Sequence, residues 1–543
     1  MQQLTVESFE WQVPAQFNFA RDVIDVLAAN DAQRTGLLAL DTARNRTAFT
    51  FAEIAVASQR YASALRELGI KKDDRVIVLL PKIPGWLFAM LGLDRLGAVV
   101  VPCSEQLRAK DLLFRANHSE ARAIVAHASN AAEVDAMRGD AKTVDRFAIL
   151  GGEREGWEAL EPIVARAEAF AGVPTAPDDL AYIVYTSGTT KDPKGVVHDR
   201  SYTFAKRMQA AFWLDAKPSD LVWCTAGTGW AKSLWNVLLG PWSCGSAIVL
   251  DEAAFVPEER MDLLRDLGVS VLCQAPTEYR LEAKLDRLGE RWTLPKLRHC
   301  VSAGEPLNPE VIARWRDAFG LTIFDGYGQT ENSLLVANLP GMEIRPGSMG
   351  KPTPGHDIGV IDEHGNELPA GEVGDIAVRC KPRPPTLFKG YYKNEDETQR
   401  SFRGDWYVTG DRAQLDDDGY FWFVGRADDV ISSAGYRIGP FEVESALLEH
   451  PAVAESAVVG SPDPERGNVV KAFIVLRPGY TASNELVREL QEHCKRVTAP
   501  YKYPREIEFI AELPKTRSGK IRRVELRQSE LQKKGASAAS GYV

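Results

Sequence analysis

At 543 residues, with 45% hydrophobic and 26% charged, the chain has room for three or four folded units and enough apolar residues to bury large cores. A formal net charge of −10 argues against bulk binding of nucleic acid or anionic lipid, where non-specific affinity comes from cations. No run approaches the roughly 20 apolar residues of a membrane span, and the start MQQLTVESFEWQVPAQFNFARDV lacks the basic and apolar stretches of a signal peptide, so a cytoplasmic protein is expected. The seven cysteines form no C-x-x-C pair, which fits a reduced compartment, and the eight histidines show no metal-ligand spacing.

In chain order, short apolar runs predict buried strands over 75–81, 98–102, 121–127, 180–186, 246–250, 269–273, 297–304 and 321–328. Helix-period segments such as 51–69 and 258–268 lie between them. This alternation predicts an α/β fold with largely parallel sheets, and there is too much strand for one sheet, so two doubly wound α/β layers are expected. After about residue 340, the segments 372–380 and 405–426 alternate like antiparallel strands, with the turn DDDG at 416–419, and predict a small β unit closing the large domain. Past GRADDVISSAGYRIG (425–439), a helix, two strands, a helix and a strand predict a compact α+β domain. The expected organisation is an N-terminal domain over 1–427 (341–427 its β part), a mobile α+β C-terminal domain over 428–530 and a disordered tail over 531–543.

Four stretches carry chemistry. In YTSGTTKDPKGVVH (185–198) the hydroxyls of Thr186, Ser187, Thr189 and Thr190 are donors, Gly188 and Gly195 allow close approach, and Lys194 adds positive charge. Such a loop suits a polyphosphate, though it is not a Walker A loop; the alternative is a hydroxyl-rich surface turn. In AGEPLNP (303–309) and DGYGQTEN (325–332), loops following strands, Gly304, Glu305 and Pro306 could wall a base, Tyr327 could stack on it, and Glu331 could hold Mg²⁺, unless it is a solvated surface acid. In YVTGDRAQL (407–415) and VGRADDV (424–430), Asp411 is suited to ribose hydroxyls and Arg426 to the ribose or a phosphate; the alternative is a turn and a surface Arg426–Asp429 pair. Around PKTRSGKIRR (514–523), residues 495–527 hold ten Lys and Arg against four Glu, a local net of +6 that suggests an anionic ligand or else a solvated charge run.

Together these motifs resemble the adenylate-forming superfamily, which includes acetyl-CoA synthetases, firefly luciferase and nonribosomal peptide adenylation domains. Five motifs occur in order between about 45 and 530, and the stretches 436–467 and 498–523 are similar to medium-chain acyl-CoA synthetases. The resemblance implies an ATP-dependent ligase that makes acyl-CoA from a short- to medium-chain, branched or aromatic carboxylic acid through acyl-AMP. It implies that Thr186, Ser187, Gly188, Thr189, Thr190 and Lys194 hold the triphosphate, with Lys191 replacing a usual glycine. Gly304, Glu305, Pro306, Asp325, Gly326, Tyr327, Gly328, Gln329 and Thr330 match the adenine and α-phosphate surface, Glu331 the Mg²⁺ ligand, and Asp411 and Arg426 the ribose contacts. Arg437 matches a residue near the phosphates and acyl group, and Lys520 matches the lysine needed for adenylation, so Lys520, Glu331, Thr186 and Arg437 are the catalytic candidates. For coenzyme A the match gives Gln106, Ala434, Gly435, Tyr436, Arg466, Tyr503, Pro504 and Arg505. The C-terminal domain is expected to rotate about Asp428 between the two half-reactions.

The acyl pocket is expected at Trp230, Lys232, Ala303, Gly328 and Thr330. Acetyl-CoA synthetases place a bulky Trp where this chain has Gly328, so an open floor and a longer acid are expected, each buried methylene adding about 0.8 kcal/mol. Lys232 either lines that pocket or points to solvent. Acetylation of Lys520 would remove its charge, making a lysine acetyltransferase and deacetylase candidate partners. Transfer to a carrier-protein thiol or to oxygen is the second enzyme reading. A non-catalytic sensor is the third, disfavoured because it would not need both Glu331 and Lys520. The oligomeric state is left open.

Overall fold

The computed structural model describes residues 9–186, 193–426, 429–433, 436–463, 466–498, 500–515 and 521–534. Period-two burial builds the first layer. In strand Arg75–Leu79, Val76 and Val78 face one core while Ile77 and Leu79 face another, all at 1% exposure or less. Val99–Pro102, Ala123–His127 and Arg146–Leu150 align parallel around it, and Leu180–Thr186 pairs parallel with Val99–Pro102. Lys194–Asp199 then returns antiparallel to Leu180–Thr186, and Gly390–Tyr391 adds an edge to it.

The second layer runs Ala247–Asp251, Leu221–Cys224, Val271–Gln274, His299–Ala303 and Ile323–Gly328, all parallel. Thr35–Leu40, absent from the sequence expectation, joins it in parallel beside Ala247–Asp251. Between the layers lie helices Phe51–Glu67, Pro84–Leu96 and Arg200–Phe212, whose apolar faces share one core with both sheets. Thr50 starts the first of these with a capping box, accepting from Glu53 N–H and giving its own N–H to the Glu53 carboxylate. Helices Pro257–Leu267, Pro276–Ala283 and Pro309–Phe319 cover the outer face of the second sheet.

The expected β unit is continuous with this second sheet. Strand Ser348–Pro352 pairs with Leu334–Ala337 on one side and with Phe421–Arg426 on the other, so one strand serves both. Trp406–Leu415 and Phe421–Arg426 form the hairpin anticipated around 416–419.

Past it, Val453–Asp463 and Gly467–Leu476 pair antiparallel, and Glu506–Phe509 adds in parallel. Ile431, Ile438, Val443, Ile474 and Leu490 form their core. Helix Arg523–Lys533 runs into the segment expected to be a disordered tail, because Leu526 is buried and the Glu530 carboxylate is bonded inside. Among the described residues, no helix is long and apolar enough to cross a membrane.

Candidate active site

Parallel strands end together, so the loops after Leu221–Cys224, His299–Ala303 and Ile323–Gly328 meet at one edge of the second sheet. Lys232 ties two of them: its amine donates to the Ala303 carbonyl at 3.0 Å. This half-buried lysine therefore lies in the crevice wall rather than extending to solvent. Trp230, two residues before, is 45% exposed at the mouth. Gly229 explains how that loop reaches the first layer, because a Cβ there would lie 2.1 Å from Ser104 N. The contact brings the loop of Trp230 against the loop that carries exposed Gln106.

Asp411 anchors the opposite wall. Buried to 7% exposure, its carboxylate accepts from the Tyr327 hydroxyl at 2.6 Å and the Gln329 side-chain amide at 2.6 Å. Gln329 is itself fixed by donation to the Thr409 carbonyl at 2.9 Å and by the Tyr407 hydroxyl at 3.2 Å. Exposed Arg426 stands opposite Asp411 in the hairpin register. Asp429 pairs with Arg527 of the last helix.

Glu331 follows the same strand. Its carboxylate accepts from the Tyr391 hydroxyl at 2.9 Å, and its backbone carbonyl accepts from Phe388 N–H at 2.7 Å. Burial pushes its carboxyl above the ordinary glutamate value, against the pull of Tyr391 and Lys194. Asp325, deep at the strand end, is pushed by burial up to about 8, although Gly326 N–H donates to it at 3.0 Å. The Thr330 carbonyl meets the His198 ring nitrogen at 2.7 Å, which joins the wall to the strand Lys194–Asp199. Glu305 is held by Arg280 at 2.5 Å and by the Thr277 hydroxyl at 3.1 Å, beside Gly304 and Pro306.

Two sequence readings are corrected. Gly328 does not leave an open pocket floor: a Cβ there would sit 1.9 Å from the Ser333 backbone oxygen. The pairing with Leu334–Ala337 shifts register between Tyr327 and Gly328, which presses the two backbones together. Its missing side chain reports a backbone contact, not room for substrate. At Gly195, by contrast, the expected close approach is present: a Cβ there would meet Ile183 at 3.0 Å and Tyr392 at 3.3 Å.

The second correction concerns charge. Lys194 does not stand open toward a phosphate, because it is ion-paired with Glu397 and lies 5.1 Å over the Tyr391 ring. Likewise the basic run is largely matched by acids. Lys495 pairs with Glu492, Lys502 with Glu442, Lys515 with Glu455, Arg522 with Glu525, and Arg523 with Glu444.

Ser187, Gly188, Thr189, Thr190, Lys191, Asp428, Ala434, Gly435 and Lys520 lie outside the described residues. Thr186 ends its strand opposite Lys194. Tyr436 and Arg437 belong to a strand paired with Ile431–Ser433. Arg505 N–H donates to the Val470 carbonyl at 2.8 Å, Pro504 accepts from Gln491, and Arg505 lies 5.0 Å over the Tyr503 ring. Arg466 sits at the hairpin tip of the same sheet, its N–H on Asp463. This C-terminal part meets the crevice wall where Asn308 donates to Ser445 at 3.1 Å. Sequence reasoning missed Tyr391 and Glu397. His198, which supports the Thr330 carbonyl, lay inside a quoted motif but was not singled out.

Residues 27–392 match the model of the AMP-binding enzyme family, and residues 442–520 that of the AMP-binding enzyme C-terminal domain. The mitochondrial acyl-coenzyme A synthetase ACSM3 of Mus musculus is 44% identical over 96% of this chain and 92% of its own length. The uncharacterized acyl–CoA ligase YtcI of Bacillus subtilis is 45% identical over 97% and 98%. The solved anthranilate CoA ligase AuaEII in complex with anthranoyl-AMP superposes with a TM-score of 0.88 at 30% identity, covering 98% of this chain and 100% of that one. With matches of this extent, the chain belongs to the AMP-binding enzyme family, in its medium-chain acyl-CoA synthetase group.

Proposed function

We propose that this chain joins a short- to medium-chain carboxylic acid, branched and aromatic acids included, to AMP, and then transfers the acyl group to coenzyme A. What carries the reading is the hydrogen-bonded group of Tyr327, Gln329 and Asp411 beside Glu331, at the carboxyl ends of parallel strands, in a chain of this family. Asp411 and Arg426 take the ribose, Gly304 to Pro306 and Tyr327 flank the adenine, and Thr186 to Thr190 cradle the triphosphate. Lys194, paired with Glu397, buttresses the base of that loop.

A hard carboxylate oxygen at Glu331 fits Mg²⁺. Among the described residues no cluster of three or more His, Cys, Asp or Glu could hold a metal. A single protein carboxylate with nucleotide phosphates and water is the usual habit of Mg²⁺. When bound, the ion supplies charge neutralisation on the phosphate oxygens.

The acid's oxygen attacks the α-phosphorus in line and the bond to pyrophosphate breaks, with Lys520 and Arg437 offsetting charge. The thiol then attacks the acyl carbonyl, its proton passes to solvent, and AMP leaves with the former acid oxygen. Rotation about Asp428 would exchange Lys520 for the coenzyme A contacts Gln106, Ala434 to Tyr436, Arg466 and Tyr503 to Arg505. Trp230, Lys232, Ala303 and Thr330 border the acid. Acetylation of Lys520 by a lysine acetyltransferase would block the first step. The seven cysteines are free, which supports a reducing, cytoplasmic setting.

The test is release of pyrophosphate and AMP from ATP over a panel of acids, with and without coenzyme A. Acid-dependent pyrophosphate should appear without coenzyme A, and sustained AMP and thioester only with it. No acid dependence would sink the reading; AMP turnover with another thiol alone would move the acceptor.

A further inference from the structure

The segment Phe388–Tyr392 stitches the two layers together at the site. Phe388 N–H donates to the Glu331 carbonyl at 2.7 Å, on the second layer. Lys389 N–H donates to Val197 at 2.8 Å and Tyr392 N–H to Gly195 at 2.7 Å, both on the strand that leaves the phosphate loop. Tyr391 sits at the centre of this brace. Its backbone N–H donates to the Thr398 hydroxyl at 2.8 Å, and its ring packs edge-on to Phe388 at 5.0 Å. Lys194 lies over its face at 5.1 Å, and its hydroxyl donates to Glu331 Oε1 at 2.9 Å.

A glutamate carboxylate turns freely about its last torsion unless a partner fixes it. Among the described residues, no cation lies within ion-pair distance of Glu331, so a neutral phenol orients the group without cancelling its charge. Tyr391 cannot drift, because backbone pairing with Val196 and the Lys194–Glu397 pair hold it from both sides. We propose that Tyr391 is a positioning residue for Glu331: its hydroxyl sets the carboxylate for a divalent cation, and through Lys194 it links that orientation to the base of the phosphate loop. The inference rests on the reading of Glu331 as the metal ligand given above.

The test uses the full-length chain with Tyr391→Phe, which keeps the ring and removes only the hydroxyl. Mn²⁺ with ATP is the probe, followed by electron paramagnetic resonance, alongside acid-dependent pyrophosphate release. Loss of an outer partner of a metal ligand typically lowers metal affinity or activity about 10–100-fold, and a loss of that size is expected in Mn²⁺ retention and kcat, with KM for the acid unchanged. Glu331→Gln and the double variant complete the cycle. In the Glu331→Gln background, removing the hydroxyl should change nothing further. Equal Mn²⁺ retention by Tyr391→Phe and the parent would overturn the proposal. So would a loss that persists without Glu331, since that marks a general structural effect. If Glu331→Gln itself keeps full Mn²⁺ affinity, the metal-ligand reading fails, and that result is separate from the first.

Discussion

The crevice and the C-terminal unit treat buried acids in opposite ways. In the crevice, Asp411 accepts from a phenol and an amide, and Glu331 from a phenol. In the C-terminal unit, Glu530 is met by the Lys471 ammonium at 2.8 Å and Glu444 by the Arg523 guanidinium at 2.7 Å. At Glu331 the neutral phenol orients the carboxylate and, among the described residues, leaves its charge for an incoming partner. Full ion pairs satisfy a carboxylate and make it part of the frame. On the proposed function, the contrast sets acids held for chemistry against acids held for structure, and all four are at least partly buried.

Three substitutions can break or sharpen that contrast, and the largest effect is expected in the crevice wall. Gly328→Trp should destroy the folded wall rather than shorten an acyl pocket, because even its Cβ meets the Ser333 backbone at 1.9 Å. Overpacking a tight site costs about 1–3 kcal/mol or more, and here the backbone itself must move. Thermal unfolding should drop sharply and activity should fall for every acid. A stable variant with a preference shifted toward acetate would restore the open-floor reading.

Next, if Asp428 is the hinge proposed above, Asp428→Pro should keep acid-dependent pyrophosphate release and lose thioester formation. Equal loss of both steps would remove the hinge assignment.

The smallest change is expected from Glu530→Gln, which leaves the Lys471 ammonium with Glu508 at 2.8 Å and Glu506 at 3.9 Å. A cost of about 1–3 kcal/mol is expected, seen as earlier unfolding of the C-terminal unit with pyrophosphate release little changed. Burial pushes the Glu530 carboxyl up, but Lys471 and Ser461 outweigh it and hold the pKa below the ordinary value of 4.5. The stabilisation is therefore present above pH 4.5 and is lost as pH falls through the lowered folded value. The parent should lose it in that window and Glu530→Gln should not; identical acid profiles would contradict the pairing.

The strands were legible because apolar runs such as Val76–Leu79 alternate between two cores, and that alternation is written in the residues themselves. The motif DGYGQTEN placed Glu331 in a loop after a strand, and it follows Ile323–Gly328, whereas Asp411 lies within Trp406–Leu415. What stayed hidden are pairings set by long-range geometry. Tyr391 lies 60 residues from Glu331, and Glu397 lies 203 from Lys194, so no local period connects them. The basic run at 495–527 looked open because its partners Glu442, Glu444 and Glu455 come earlier in the chain. Gly328 misled because a missing side chain is compatible with an empty pocket or with a backbone pressed against it, and only the register shift at Tyr327 decides.

The central claim is that the acid's own oxygen becomes bonded to the α-phosphorus. Supplying an acid labelled with ¹⁸O in its carboxylate, with ATP and coenzyme A, and analysing the products by mass spectrometry tests it directly. One labelled oxygen should appear in AMP and none in pyrophosphate. Unlabelled AMP, or label in pyrophosphate or inorganic phosphate, would contradict activation through an acyl-adenylate.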